Sequence, residues 1–147
     1  MYNDLKNISL TIKRISKKDW EKLFKLIPVI EKTKDFVESG GIVDDPNNPE
    51  GFMITPIIEK NIVWDLEKTL DKLNLLIAFN WGDWDEGREI ASKQDFENKD
   101  TITLLKLISA FIRNNRFCDG ALASRFEDRS IEKILKQIKK NIKNRYR

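Results

Sequence analysis

Apolar side chains recur at helical spacing in several stretches of this chain. Trp20, Leu23, Phe24 and Ile27 share one face after Ser16, which reads as an N-cap with Asp19 three positions on. A first helix is therefore predicted from Ser16 to Pro28. Proline is expected to end or kink it, because it lacks an amide hydrogen and clashes with the preceding turn. Ile62, Leu66, Leu70 and Leu73 stripe a second helix over about 61–76. Leu104, Leu105, Leu107, Ile108, Phe111 and Ile112 cover more than half the circumference of a helix over 101–115, capped by Asp100. That coverage predicts the central, buried helix. Ile131, Ile134, Leu135, Ile138 and Ile142 stripe a last helix that opens at Ser130. Shorter helices are expected from a capping box at Asp83–Glu86 to Ala91, and from Asp119-Gly120 to Phe126.

Between the first two of these helices the pattern turns β-like. Phe36 to Val43 and Gly51 to Thr55 are short strand-like runs. Asp44-Asp45-Pro46-Asn47-Asn48-Pro49-Glu50 between them is dense in turn formers and predicts a mobile hairpin tip. Pro56 places the second strand at an edge or ends it. The expected fold is α+β and mostly α: five to six helices around one core, with a small β-hairpin between the first two helices. One domain is expected over 1–147, its core over about 16–145 and its mobile tip over about 44–50.

Length supports a single domain, since 147 residues bury enough surface to fold without a metal or disulfide. There is one cysteine, Cys118, and no histidine. Histidine-dependent triads and histidine-ligated zinc sites are thereby excluded. No cofactor is implied, no Gly-rich phosphate loop is present, and the acids at Asp83, Asp85, Glu86, Glu89, Asp44 and Asp45 follow no metal-loop spacing. No catalytic residues can be assigned, so an enzyme is not the expectation. No apolar run approaches the ~20 residues of a membrane span, and residues 1–6 lack a signal-peptide core. A cytoplasmic protein with a reduced thiol is expected, with Cys118 as a small buried hydrophobe.

The net charge of +3 is uneven: +4 over residues 1–30, −7 over 31–130 and +6 over 131–147. Lys133, Lys136, Lys139, Lys140 and Lys143 surround the apolar stripe of the last helix. They could bind nucleic-acid phosphates, or simply form a solvated helix face. Tyr146 is the only aromatic among them, so no stacking platform is evident.

Two segments hold more special residues than helix packing needs: Asn80-Trp81-Gly82-Asp83-Trp84 and Arg113 to Glu127. On the helix over 101–115, Arg116 falls roughly 80° from the centre of the apolar arc and Arg113 roughly 140° from it. A guanidinium at a core border needs an acidic or carbonyl partner, and Asp119, Glu127 and Asp83 are the candidates. In one reading these arginines tie the last two helices to the Trp81–Trp84 turn. In the other, Trp81, Trp84, Arg113, Arg116, Asp119 and Glu127 form a pocket in which the arginines hold an anion and a tryptophan stacks on it.

The Arg-Phe-Cys-Asp-Gly core at 116–120, the Leu-Ala and Phe-Glu that follow, the Trp81/Trp84 turn and Leu26-Ile27-Pro28 together resemble an uncharacterised prokaryotic family, the domain of unknown function numbered 6508. The resemblance spans about Ser16 to Ile138 and implies a fold rather than an activity. The expected role is a binding domain for another protein, with Trp81, Trp84 and the hairpin tip as its adaptable surface. A nucleic-acid-associated protein acting through the last helix, and a small-anion sensor or enzyme at the Arg/Trp pocket, are the alternatives. Oligomeric state is left open.

Overall fold

Asp100 opens the central helix, its carboxylate accepting the Thr103 N–H at 3.1 Å. This helix spans Thr101–Asn115 and buries Leu104, Leu105, Leu107, Ile108, Phe111 and Ile112, as its wide apolar arc requires. The computed structural model describes residues 2–145. In chain order these form β1 (Asn3–Asp4), α1 (Ile8–Arg14), α2 (Lys17–Phe24), α3 (Leu26–Lys32), β2 (Val37–Asp45), β3 (Asn48–Glu59) and α4 (Asn61–Lys72). Then come β4 (Ile77–Ala78), a 3-10 turn (Trp81–Asp83), α5 (Asp85–Lys93), α6 (Thr101–Asn115), α7 (Ala121–Glu127) and α8 (Ser130–Arg145). The amphipathic α8 packs on α2, α3, α6 and α7. β1 and β4 make a short parallel pair beside α6.

The expectation of five to six helices with a hairpin between the first two is overturned. Eight α-helices are present among the described residues, and the hairpin follows the third. Two local causes account for this. Ile8, Ile12 and Ile15 are all buried at helical spacing, but the exposed Leu10 among them disguises the period. Pro28 does not terminate a helix. It sits in the first turn of α3, where an amide hydrogen would have no intrahelical partner, and the break falls one turn earlier at Lys25. The Ser16 cap is present, accepting the Asp19 N–H at 3.1 Å.

Three further boundaries differ. The helix expected at Asp83 begins at Asp85, because the carboxylate of Asp83 is taken by the Asn80 side chain at 2.7 Å. α4 stops at Lys72, and the chain then runs extended through buried Leu75, Leu76 and Ile77 into β4. At the last helix the cap is Asp128, which accepts the Ser130 N–H at 2.9 Å, while the Ser130 hydroxyl is buried without a partner. Arg129, held at φ +68°, donates to the carbonyls of Ile30 and Thr33, each at 2.9 Å, and so closes the end of α3.

The hairpin is longer than the sequence pattern implied. β2 and β3 pair antiparallel from Val37–Glu59 out to Asp45–Asn48, so the turn shrinks to Pro46-Asn47. Irregular register beside Gly40 and again near Asp45 bends the ribbon. Its base is fixed by Phe36 in the core, by Val37 packed against it and by the buried Glu59; among the described residues no other residue of the hairpin is buried, and the rest forms an arm.

Candidate functional site

The Arg-Phe-Cys-Asp-Gly segment lies in the turn between α6 and α7, and it holds the base of the arm. Asp119 Oδ2 accepts the Ile57 N–H at 2.8 Å. Gly120, at φ +85°, lies under the Ile57 side chain, and a Cβ there would meet Ile57 Cδ1 at 2.6 Å. Only glycine suits both the backbone and the contact. Asn115 completes the joint. Its side chain accepts the Leu122 N–H at 3.0 Å and donates to Glu59 at 3.3 Å. Cys118 is exposed in this turn, contrary to the expectation of a buried thiol. The turn faces outward because α6 ends at Asn115 and the chain must round Gly120.

Beside this joint opens a cleft of about 400 Å³, lined by Ile57, Glu59, Trp64, Glu67, Arg116 and Asp119 among others. Arg116 reaches Glu67 at 3.7 Å and leans on the Tyr2 ring, 5.7 Å from its centroid. Arg113 stacks on the same ring at 5.1 Å. The arginines thus secure Tyr2 of the N-terminal segment, not the Trp81–Trp84 turn. Burial raises the Tyr2 phenol above its ordinary range, against the lowering field of the two guanidiniums.

Trp81 and Trp84 lie in another cleft of about 360 Å³, on the far side of the α6 end, with Arg88, Asn114 and Arg125. Trp84 lies flat on Gly87, where a Cβ would fall 2.2 Å from the indole. Its ring also meets Phe79 edge-on at 5.4 Å and carries Lys106 Nζ at 4.2 Å. Arg88 bonds to Asp85 and to the Gly82 carbonyl, and Arg125 covers the Phe111 ring at 4.7 Å. Trp81 touches Phe117, at 6.2 Å between centroids. The six residues expected in one pocket are therefore divided. Trp81 and Trp84 share one cleft, Arg116 and Asp119 share the other, Arg113 packs on Tyr2, and Glu127 is exposed on α7.

The residues that sequence reasoning missed are Glu59, Trp64, Glu67, Asn115 and Arg125. Glu59 carried one usable signal. It lies two residues from Ile57 on the same strand face, so an inward Ile57 takes Glu59 inward as well. Glu59 is 5% exposed. Burial holds its carboxyl above the ordinary glutamate range; Asn115 opposes this, and the like charges of Asp119 and Glu67 add to it. A carboxyl whose folded pKa is raised takes up protons on folding. Its effect is most favourable below the unfolded value, about pH 4.3, and that stability is lost as pH rises through the folded pKa. Glu59→Gln removes this dependence. Its stability relative to the native protein is expected to rise between about pH 4 and pH 8, read as the difference between urea midpoints. A flat difference would mean that Glu59 is not desolvated.

The lysines of α8 do not form one patch. Lys133 bonds Gln94 at 2.6 Å, and Lys136 pairs with Glu132 and Glu31 at 3.1 and 3.5 Å. Lys140 borders a hollow with Lys133, Lys136 and Glu97. Lys139 and Lys143 flank a separate groove against α2. Tyr146 lies outside the described residues. Among the described residues no group of acids and cysteine is arranged to hold a metal ion, and no helix is long and apolar enough to cross a membrane.

The sequence model of a family described as "Family of unknown function (DUF6508)" matches residues 15–144. No curated protein and no solved structure matches the chain.

Proposed function

Since the chain belongs to the prokaryotic family DUF6508, whose function is unknown, its role must be argued from its own surface, and we propose that it binds a protein partner through the β2–β3 arm. One observation carries this reading. Ile42 pairs with Ile54, and Phe52 pairs with Asp44 two positions along, so all three apolar side chains stand on one face of the ribbon. They are 76%, 85% and 75% exposed. Each would contribute roughly 1.5–3 kcal/mol if fully buried. A contiguous, exposed apolar face on a ribbon whose fixed contacts lie at its base is a feature of interaction surfaces.

Charge limits what the partner can be. Residues 37–59 hold five acids and no lysine or arginine. Two such arms repel one another, and phosphate is repelled as well. The fitting partner is a protein surface that is apolar at its centre and edged with lysine or arginine.

The test is proximity capture in the native host with the wild-type chain and with Phe52→Ser/Ile54→Ser. A partner recovered with the wild type should fall at least tenfold with the variant. Both substitutions are exposed, so the melting temperature should hold within about 2 °C. Identical recovery with both proteins would refute the arm as the interface.

A further inference from the structure

Glu59 is the only buried charged side chain among the described residues. Its one donor among the described residues is Asn115 Nδ2, at a long 3.3 Å. An ionised carboxylate can accept about four hydrogen bonds, so most of its capacity is unused. Among the described residues no salt bridge neutralises it. The charges acting on it, Asp119 and Glu67, have the same sign. The only cation lining the cleft among the described residues, Arg116, is engaged by Glu67 and Tyr2. A desolvated carboxylate beside two further acids and without a counter-charge is costly, and such sites recur where a ligand supplies what the fold does not.

The rest of the cleft indicates what that ligand is. Trp64 is 46% exposed on α4 and lines the same space, so an indole is open on one wall. An indole face and a carboxylate both attract organic cations. A bare metal ion does not suit this cleft, because among the described residues no three ligating side chains converge. An extended cation with an apolar stem suits it better: the head meets Glu59, and the stem lies along Trp64 and Ile57.

We propose that the cleft at the base of the arm binds an alkylammonium or guanidinium group, with Glu59 as its buried counter-charge, Trp64 as its aromatic wall and Asp119 and Glu67 at the rim. The group belongs either to a lysine or arginine side chain or to a free amine. The chemistry of recognition is the same in both. The cation donates to the Glu59 oxygen that Asn115 leaves free, and Asn115 stays on the other. The site does not depend on the arm being an interface, because its lining comes from the arm's base, α4, α6 and the α6–α7 turn.

The experiment is a titration of the full chain followed by amide and indole NMR shifts. The probes are Nα-acetyl-lysine methylamide, Nα-acetyl-arginine methylamide and putrescine, with neutral Nα-acetyl-norleucine methylamide as control. Saturable shifts are expected at the Trp64 indole, the Asn115 side-chain amide and the Ile57 amide with the cations and not with the control. Glu59→Gln should weaken binding at least tenfold. Trp64→Ala should weaken it severalfold and alters an exposed residue, so it carries the test should the first variant fold poorly. Tighter binding of the capped amino acids than of putrescine assigns the group to a peptide side chain, and the reverse assigns it to a free amine. The proposal fails if no cation gives saturable shifts at these three residues, if the neutral control gives the same ones, or if Glu59→Gln and Trp64→Ala both bind as the native protein does. Repeating the titration on Phe52→Ser/Ile54→Ser separates the two readings. Retained cation binding alongside unchanged partner capture would overturn the arm interface and leave the cleft standing.

Discussion

Phe36→Ala should lower the melting temperature by on the order of 10 °C. Phe36 is fully buried at the point where the arm leaves the helical body. Its ring packs on Phe126 of α7, with centroids 5.1 Å apart and planes 39° apart. The guanidinium of Arg129 lies 5.7 Å from the ring, and the Phe36 carbonyl accepts the Lys60 N–H at 2.9 Å. Truncating a buried phenylalanine costs about 3–5 kcal/mol, through lost transfer energy and the cavity left behind. At this chain length each kcal/mol moves the midpoint by about 2–4 °C. Calorimetry on Phe36→Ala beside Phe52→Ala checks the claim, because Phe52 is exposed and its removal should leave the midpoint nearly unchanged. Equal shifts for the two would mean that Phe36 is not part of the cooperative core.

Gly40→Ala should have a large effect of a different kind: loss of the arm's pairing with little change in the melting of the helices. Gly40 has φ +99°, and a Cβ there would fall 2.0 Å from the Pro56 carbonyl oxygen. Both the backbone and the space reject a side chain, at a combined cost of about 3 kcal/mol or more. The contact is with backbone, so no rotamer change relieves it. The arm packs on itself and is anchored only at its base, so it should open as a separate unit. Hydrogen exchange should show amides over 41–45 and 52–55 losing protection by about a hundredfold, while α6 and α8 keep theirs. Gly51→Ala is the control, since the atoms nearest a Cβ there belong to the Asn48 side chain and not to backbone, and Gly51 has no positive φ. A fall in arm and helix protection together would show instead that the arm is part of the cooperative body.

The elements legible in the sequence were those whose signals are local. Ser16 and Asp100 cap helices because a side-chain oxygen three residues upstream is all the geometry needs. The stripes of α4, α6 and α8 were readable because each buries one continuous face. α1 was obscured by a single exposed leucine. The interruption that Pro28 announces falls at Lys25, because a proline in a first turn and a proline at a helix end look alike without the fold. The functional surface was harder to read. The 116–120 segment was conspicuous, but the object it holds, Ile57, lies about sixty residues earlier, and no local pattern links the two. Trp81 and Arg116 invite grouping because both are unusual. The fold sets them in clefts on opposite sides of the end of α6, a matter of helix rotation that composition cannot reveal. Glu59 stood out least in the sequence, and its importance comes wholly from the burial of its neighbours.

The N-terminal region is finished late in synthesis. β1 is paired by β4, 74 residues further along at Asn3–Ile77. Two carbonyls of the last turn of α1, those of Ile12 and Lys13, are met by the guanidinium of Arg145 at 2.9 and 3.0 Å. α1 is only seven residues long, too short to persist in water without such partners. At roughly 5–20 residues per second, on the order of ten seconds pass between translation of α1 and the emergence of its capping arginine. Throughout that interval Ile8, Ile12 and Ile15 have no completed core to enter. A segment translated early thus waits for partners translated much later, and until they arrive the nascent chain exposes an isoleucine-rich stretch.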